Sequence, residues 1–258
     1  MNQVVEEAKW VDNHCHIFEQ DIAEAEIQRA IDAGVRKFIN VGTDLETSRT
    51  AIDLAKMYPH TVFATAGLHP HEASHGLIGI EDLLTTPQVV AVGECGLDFY
   101  YNHSPRNEQE KVFAQQIAYA NEKNMPLVIH SRDAWDETFT VLDREGVPSR
   151  TVFHCFTGGP EEASEAIARG ALLSFSGIVT FKNAQEIREA LKITPINRIL
   201  IETDSPYLAP VPMRGKKNTP AYLPYIASSI ATELEVELVE FAQTIWTNTH
   251  DFYGLPTS

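Results

Sequence analysis

The chain has 258 residues, of which 43% are hydrophobic and 22% charged, and its formal net charge is −16 at pH 7. No apolar run approaches the roughly 20 residues that cross a bilayer, so we expect no membrane partner. The acidic balance excludes broad, sequence-independent coating of nucleic acid, although a bound cation or a local basic loop would still allow one phosphate to be held.

Short β-branched apolar runs alternate with amphipathic stretches along the whole chain. The predicted strands cover residues 10–17, 37–42, 61–67, 89–95, 126–131, 151–156, 171–177 and 198–203. The predicted helices cover residues 22–33, 44–57, a short 79–84, then 105–123, 134–145, 160–169, 184–191, 220–233 and 238–252. This alternation predicts an α/β fold with a parallel sheet, as a single domain over residues 1–258. Periodicity alone fits both a closed (β/α)₈ TIM barrel and an open, doubly wound sheet.

Candidate metal ligands recur at the C-terminal ends of the predicted strands. They are His14, His16, Glu94, His130, His154 and Asp204. Side chains two apart in a strand share a face, so His14 and His16 can point together into a barrel. In a TIM barrel all strand C-termini meet at one mouth, where the six residues would converge. This convergence favours closure and places the metal site at the mouth.

Taken singly, each of these residues also has an ordinary structural interpretation. A His-x-His pair often arises by chance, and Glu94 or Asp204 alone also fits a helix N-cap or a salt-bridge partner. The recurrence of such residues at equivalent points of five repeats favours a metal centre. Imidazoles with carboxylates suit divalent ions such as zinc, manganese or magnesium, and the set suffices for two ions if Glu94 bridges them.

Three cysteines, Cys15, Cys95 and Cys155, each stand beside a proposed ligand. Strand alternation would turn them to the opposite face, which predicts buried structural thiols. Their odd number and wide spacing fit a reducing compartment, and residues 1–9 lack the form of a secretory signal, so we expect a cytoplasmic protein. No obligate protein partner is evident. The remaining loop and terminal-helix histidines are interpreted as surface or loop residues: His60, His75, His103 and His250.

The motifs around these positions resemble those of the TatD family of metal-dependent deoxyribonucleases, within the amidohydrolase-like barrels. The matching segments are Asp12-Asn13-His14-Cys15-His16, Gly67-Leu68-His69-Pro70-His71, Gly93-Glu94-Cys95-Gly96-Leu97-Asp98, Ile129-His130-Ser131-Arg132, His154-Cys155-Phe156-Thr157-Gly158 and Ile201-Glu202-Thr203-Asp204-Ser205-Pro206-Tyr207-Leu208. A departure follows the first histidine pair, where Ile17-Phe18-Glu19 stands in place of the leucine and aspartate that the family often has.

The resemblance implies the same six metal ligands as their positions do. It also implies that His69 faces the site as a contact to substrate or water, whereas His71 has the weaker case. The loop at 214–218 matches a basic segment of the family, so Arg214 and Lys216 are predicted to contact phosphate, together with Arg132. As a bare pattern, that loop also fits a solvated turn.

These features lead to a hypothesis of phosphodiester hydrolysis by metal-activated water, with DNA as the substrate. Asp204 is the predicted general base, and Glu94 and His69 are the further predicted catalytic residues. The expected substrate is the end of a single strand, because one narrow mouth offers no long basic groove. Amide or ester hydrolysis, such as D-aminoacyl-tRNA deacylation, is the alternative, because the same chemistry attacks carbonyls. Cationic donors at phosphate distance would favour the nuclease, and an apolar cavity the alternative. A non-catalytic metal-binding protein is the third hypothesis.

Overall fold

A computed structural model describes residues 8–256, in which strands and helices alternate. The strands are β1 (Trp10–Cys15), β2 (Val35–Val41), β3 (Val62–Ala66), β4 (Val89–Asp98), β5 (Leu127–Arg132), β6 (Thr151–Phe153), β7 (Leu172–Phe175) and β8 (Ile199–Ile201). The helices are α1 (Gln20–Asp32), α2 (Leu45–Met57), α3 (Ile80–Leu83), α4 (Arg106–Lys123), α5 (Trp135–Glu145), α6 (Pro160–Ala168), α7 (Gln185–Ile193), α8 (Leu223–Glu233) and α9 (Leu238–Tyr253). In this part of the chain no helix is both long and apolar enough to cross a membrane. The prediction that residues 1–9 do not form a secretory signal falls mostly on residues 1–7, which lie outside the described part of the chain.

The strands close into a barrel. Within residues 8–256, eight parallel strands pair in sequence order from β1 to β8. The end of β8 lies next to the end of β1. Two hydrogen bonds join them: the Asp204 amide donates to the His14 carbonyl at 2.9 Å, and the His16 amide donates to the Ser205 carbonyl at 2.8 Å. The predicted (β/α)₈ barrel is therefore confirmed, and the open sheet is wrong. Closure occurs at the mouth, between two segments that carry proposed ligands.

Apolar side chains fill the barrel interior, and the end of α9 closes its bottom. Interior residues of the strands, among them Ile39, Phe63 and Leu200, form one buried cluster with Phe252 and Leu255 at the C-terminal end. A larger buried layer lies between the strands and the surrounding helices. The tail is held further by Lys37, whose Nζ donates to the Pro256 carbonyl at 2.7 Å. The interior below the mouth is thus a packed core, as in other TIM barrels.

The position of α9 corrects the interpretation of His250 as a surface or loop residue. Its side chain is buried, with the residue only 6% exposed, and its Nδ1 donates to the Trp246 carbonyl at 2.7 Å. The helix was predicted, but its packing beneath the barrel is a long-range property that local periodicity does not contain.

Several strands differ in length from the prediction. β4 continues to Asp98, three residues past the predicted end, because its last residues pair with β5, with Gly96 opposite His130. β6 ends at Phe153, and the chain turns through a left-handed conformation at Cys155, where φ is +42°. A similar turn at Asp204, with φ of +52°, follows β8. Because β6 and β8 are short and end in turns, the side chains that follow them, including Asp204, lie at the mouth of the barrel.

Replacing Phe252 with alanine should lower the free energy of unfolding by about 3–5 kcal/mol, because it leaves a cavity at the closed end of the barrel. Val239→Ala, at an exposed site (40%) in the same helix, should change it by less than about 0.5 kcal/mol. Urea unfolding followed by circular dichroism measures both. Equal effects of the two substitutions would show that α9 does not close the core.

Candidate metal centre

The carboxylate of Glu94 lies at the centre of the mouth and is only 3% exposed. Its Oε1 faces three imidazoles: His154 Nε2 at 2.9 Å, His130 Nδ1 at 3.2 Å and His69 Nε2 at 3.3 Å. Three ring nitrogens therefore surround one carboxylate oxygen.

The other oxygen of Glu94 faces a second group of donors. Oε2 lies 3.3 Å from His14 Nε2 and 4.0 Å from His16 Nε2. Asp204 completes this group, with its Oδ1 3.5 Å from His16 Nε2 and 3.9 Å from His14 Nε2. The structure thus brings the six predicted ligands together, with Glu94 between two groups, as a bridging carboxylate would stand.

Irregular strand pairing positions two of these side chains. Between Asp12 and Cys15 the strand β1 has one residue more than its partner β2, and between Val92 and Cys95 the strand β4 has one more than β5. Such bulges bend a strand and change the direction of the side chains in it. His14 lies in the first irregular stretch and Glu94 in the second.

A close approach of β4 to β5 holds Glu94 near His130. Gly96 has φ of +130°, and a Cβ on it would overlap with the His130 carbonyl oxygen. Only glycine fits both the conformation and the contact.

Outward hydrogen bonds fix the proton positions of three histidines. His16 Nδ1 donates to the Val41 carbonyl at 2.9 Å. His154 Nδ1 donates to Glu202 Oε1 at 3.2 Å, and His130 Nε2 donates to Asp98 Oδ2 at 3.0 Å. Because the outward nitrogen carries the proton, the nitrogen that faces Glu94 presents a lone pair to a cation in the neutral ring.

His69 has the opposite arrangement. Its Nδ1 accepts a hydrogen bond from the His71 amide at 3.2 Å, so the proton of the neutral ring is on Nε2, which faces Glu94. Burial lowers the pKa of His69 to about 4, so the ring is neutral near pH 7. A protonated Nε2 donates hydrogen bonds and does not bind a metal. The geometry therefore separates His69 from the other imidazoles, in line with its predicted role as a contact to substrate or water.

The electrostatics keep the central carboxylates ionised. Burial by itself would raise the pKa of Glu94, but the neighbouring His154 and His69 hold it well below its usual range. Burial likewise opposes ionisation of Asp204, but His16, His14 and His154 together outweigh it and lower the pKa of Asp204. Asp12, behind the site, has its pKa raised to about 7 by burial, although it accepts hydrogen bonds from the amide and hydroxyl of Thr203.

Two carboxylates to which the sequence assigned no role lie behind the histidines. Besides His130, Asp98 accepts from His71 Nε2 at 3.1 Å. Glu202 is fully buried and accepts also from the Cys155 amide at 2.7 Å. Both residues occur within segments that resemble the family, and this resemblance is the sequence feature from which a role for them could have been predicted.

Cys155 differs from the prediction for the cysteines. Cys15 and Cys95 are buried, but Cys155 is only half-buried, and its Sγ lies 3.3 Å from Ser176 Oγ. The expectation of a buried thiol is wrong there, because alternation of faces ends where β6 ends, before Cys155. All three cysteines are free thiols.

The predicted basic residues occupy different parts of the mouth and its surroundings. The Arg132 guanidinium packs on the rings of Tyr100 and Tyr101, at 4.1 and 4.7 Å from their centroids. Arg214 packs on Phe181 at 3.8 Å, and Lys216 is exposed, with its Nζ near Met213 Sδ. We find no contact from these three side chains to the carboxylates of the centre within residues 8–256. Their role in phosphate binding stays a prediction.

The donor set fits divalent cations. Donor atoms lie within 4.8 Å of one another in three overlapping groups: His14 with Glu94 and His154, His14 with His16 and Asp204, and His69 with Glu94 and His130. Imidazole and carboxylate are the ligands of zinc and of manganese-type ions. A closed barrel with such a cluster at its mouth defines the class of metal-dependent hydrolases.

Comparison with known proteins gives the family. The family model for the TatD related DNase matches residues 11–254. The metal-dependent hydrolase YabD of Bacillus subtilis is 40% identical over 240 residues, covering 90% of this chain and 93% of YabD. A relative from Escherichia fergusonii named 3′-5′ ssDNA/RNA exonuclease TatD is also 40% identical over 240 residues, covering 89% of this chain and 92% of its own length.

A solved structure agrees. YJJV, the TatD homolog of Escherichia coli K12, superposes with a TM-score of 0.90 at 27% identity, over 96% of this chain and 99% of that one. The chain belongs to the TatD family and is a metal-dependent hydrolase.

Replacing Glu202 with glutamine should weaken metal binding about 10- to 100-fold, because it removes the charge behind His154 and keeps a hydrogen-bond acceptor of the same shape. Equilibrium dialysis of the metal-stripped protein against zinc or manganese measures the affinity. Glu233→Gln, which breaks only the surface pair with Lys192 Nζ at 2.7 Å, is the control. Unchanged affinity in Glu202→Gln would rule out this role for the carboxylate.

His69→Gln should keep the full metal content of the wild type, whereas His130→Ala should lose metal bound beside Glu94 Oε1. The reason is the opposite placement of the ring protons in the two histidines. Metal analysis by mass spectrometry after dialysis decides the matter. Loss of metal from His69→Gln to the extent seen in His130→Ala would make His69 a ligand instead.

Proposed function

We propose that the enzyme removes nucleotides from the end of single-stranded DNA by hydrolysing phosphodiester bonds. One observation carries the proposal: Glu94 is shared between two groups of donors at a mouth that also presents the Arg132 guanidinium. The name of the Escherichia fergusonii relative, an exonuclease of single-stranded DNA and RNA, supports this chemistry and suggests the 3′ end.

Two divalent ions would be held on either side of Glu94. His14, His16 and Asp204 would hold one with Oε2, and His130 and His154 the other with Oε1. When bound, such ions polarise the phosphoryl group and make water a stronger nucleophile, and a pair of them steadies the attacking and leaving oxygens. Zinc, manganese and magnesium are the candidate ions.

Asp204 is the proposed proton acceptor for the attacking water. Its carboxylate has 13% of its side-chain surface exposed at the mouth, so that water reaches it. Its lowered pKa keeps it ionised at neutral pH and ready to accept a proton. His69 lies on the other side of Glu94, with its Nε2–H directed toward Oε1, and it would donate a hydrogen bond to a phosphate oxygen bound there.

Arg132 is the proposed phosphate anchor. The two tyrosine rings hold its guanidinium, and no carboxylate partner for it is present in residues 8–256. An unpaired guanidinium offers a fork of donors that matches the oxygens of a phosphate. Arg214 and Lys216, on the exposed loop between β8 and α8, are proposed as further contacts to phosphate.

The domain organisation, protein partners and cellular compartment of the enzyme are further parts of the proposal. We propose that residues 1–258 form one hydrolase domain that acts without an obligate protein partner. The three free thiols support a reducing compartment and hence the cytoplasm.

Metal-stripped protein refilled with magnesium, manganese or zinc should release nucleotides from end-labelled single-stranded DNA. Glu94→Gln and Asp204→Asn should each lower kcat by about 10²-fold or more, because they remove the bridging charge and the proton acceptor. Asp251→Asn, at an exposed position near the end of α9, should retain full activity.

Failure to release nucleotides with any of the three ions would contradict the nuclease proposal. Metal-dependent cleavage of an amide, or of the ester in D-aminoacyl-tRNA, would then support the acyl-hydrolase alternative with the metal centre unchanged. Metal binding without hydrolysis of any ester or amide would support the non-catalytic hypothesis.

A further inference from the structure

A cavity of about 180 Å³ lies beside the metal centre. His16 forms its inner wall, the segment between β1 and α1 contributes Phe18, the first turn of α1 contributes Ile22, and the segment after β8 contributes Pro206 and Tyr207. None of these four flanking residues belongs to the proposed ligand set. The cavity thus lies beside the ends of β1 and β8. Arg132 ends β5, on the opposite side of the eight-stranded barrel, where it packs on Tyr100 and Tyr101.

Two aromatic rings flank the inner wall of this cavity. The Phe18 ring is centred 5.5 Å from the ring of His16, and the Tyr207 ring is centred 6.4 Å from it. Tyr207 is 63% exposed. An aromatic ring left this open to solvent next to an active centre has most of its face available to a ligand.

The backbone around Tyr207 is held in place before any ligand binds. Asn218 is buried, and its Nδ2 donates to the carbonyl of Tyr207 at 2.5 Å and to the carbonyl of Thr203 at 2.8 Å. Because the backbone is already fixed, only the side chain of Tyr207 has to become ordered when a ligand binds, which lowers the entropic cost of binding.

The rim of the cavity carries a cation. Lys217 lines it, with its Nζ 3.0 Å from Glu19 Oε1, and both side chains are more than half exposed. An ion pair exposed to this degree is weak and can exchange partners with little loss. Glu26 also lines the cavity, so the charged side chains of the cavity are two acids and one base, and the cavity suits an uncharged ring better than a phosphate.

We propose that this cavity binds the terminal nucleobase of the strand, stacked on Phe18 and Tyr207. The proposal rests on the proposed nuclease function and assigns the substrate a direction across the mouth. The base of the last nucleotide enters the cavity beside His16, its phosphate lies at the metal centre, and the rest of the strand leaves over Arg132. Aromatic stacking of this kind tolerates any base, because every base has a flat π-face.

The test compares two oligonucleotides that differ only in the last nucleotide at the 3′ end, which is normal in one and abasic in the other. For the wild type, removal of the terminal base should raise KM about tenfold or more, with a smaller effect on kcat. Phe18→Ala and Tyr207→Ala should raise KM for the normal strand to a similar extent and change KM for the abasic strand little. Tyr207→Phe should raise KM for the normal strand less than Tyr207→Ala does, because stacking needs only the ring.

Met57→Ala is the matched control, since Met57 is also 63% exposed but lies at the C-terminal end of α2. If the wild type degrades both strands and the two alanine variants raise KM equally for both, the cavity does not bind the terminal base and the inference is overturned. If the wild type degrades neither strand, the proposed nuclease function itself fails. The two failures are thus distinct.

Discussion

The burial of the Glu94 carboxylate is the constraint on which the mouth of the barrel depends. An ionised carboxylate that is only 3% exposed is costly unless charges or hydrogen bonds compensate it. Imidazoles surround it, and two of them are backed by further carboxylates, Asp98 and Glu202. If the imidazoles are neutral, as metal ligands must be, the centre carries an excess of negative charge. Divalent cations supply the missing positive charge, which is why metal dependence follows from the charge balance as well as from ligand type.

This requirement also explains why the barrel closes where it does. A cation between two groups of donors needs side chains from β1, β4, β5 and the ends of β6 and β8 at one level. The bonds from the Asp204 amide to His14 and from His16 to Ser205 fix the first and last strands to each other at that level. The irregular pairing around His14 and Glu94 then changes the direction of individual side chains within β1 and β4. The backbone hydrogen bonds that close the barrel thus belong to residues that also supply proposed metal ligands.

The sequence predicted the barrel and the convergence of the six ligands, because both follow from where polar residues stand relative to apolar runs. It gave no role to Asp98 or Glu202, since a buried acid has the same local pattern as a surface acid in a chain with 36 acidic residues. Cys155 and His250 were misplaced for another reason. The alternation of faces holds only within a strand, and the side of α9 that is buried depends on the barrel to which it packs. The direction of the His69 proton depends on the backbone amide of His71, and no sequence pattern carries that information.

The acidic surface restricts how such an enzyme can bind nucleic acid. With a net charge of −16, long-range attraction to phosphate is absent, and few cationic side chains stand at the mouth to replace it. Arg132 and Lys217 lie on opposite sides of the metal centre, each beside tyrosine or phenylalanine rings. Under the proposed nuclease function, affinity would come from metal ions at one phosphate and from stacking of an unpaired base next to it. A duplex offers no free base face for such stacking. The charge that weakens general binding would then favour the ends of single strands over duplexes.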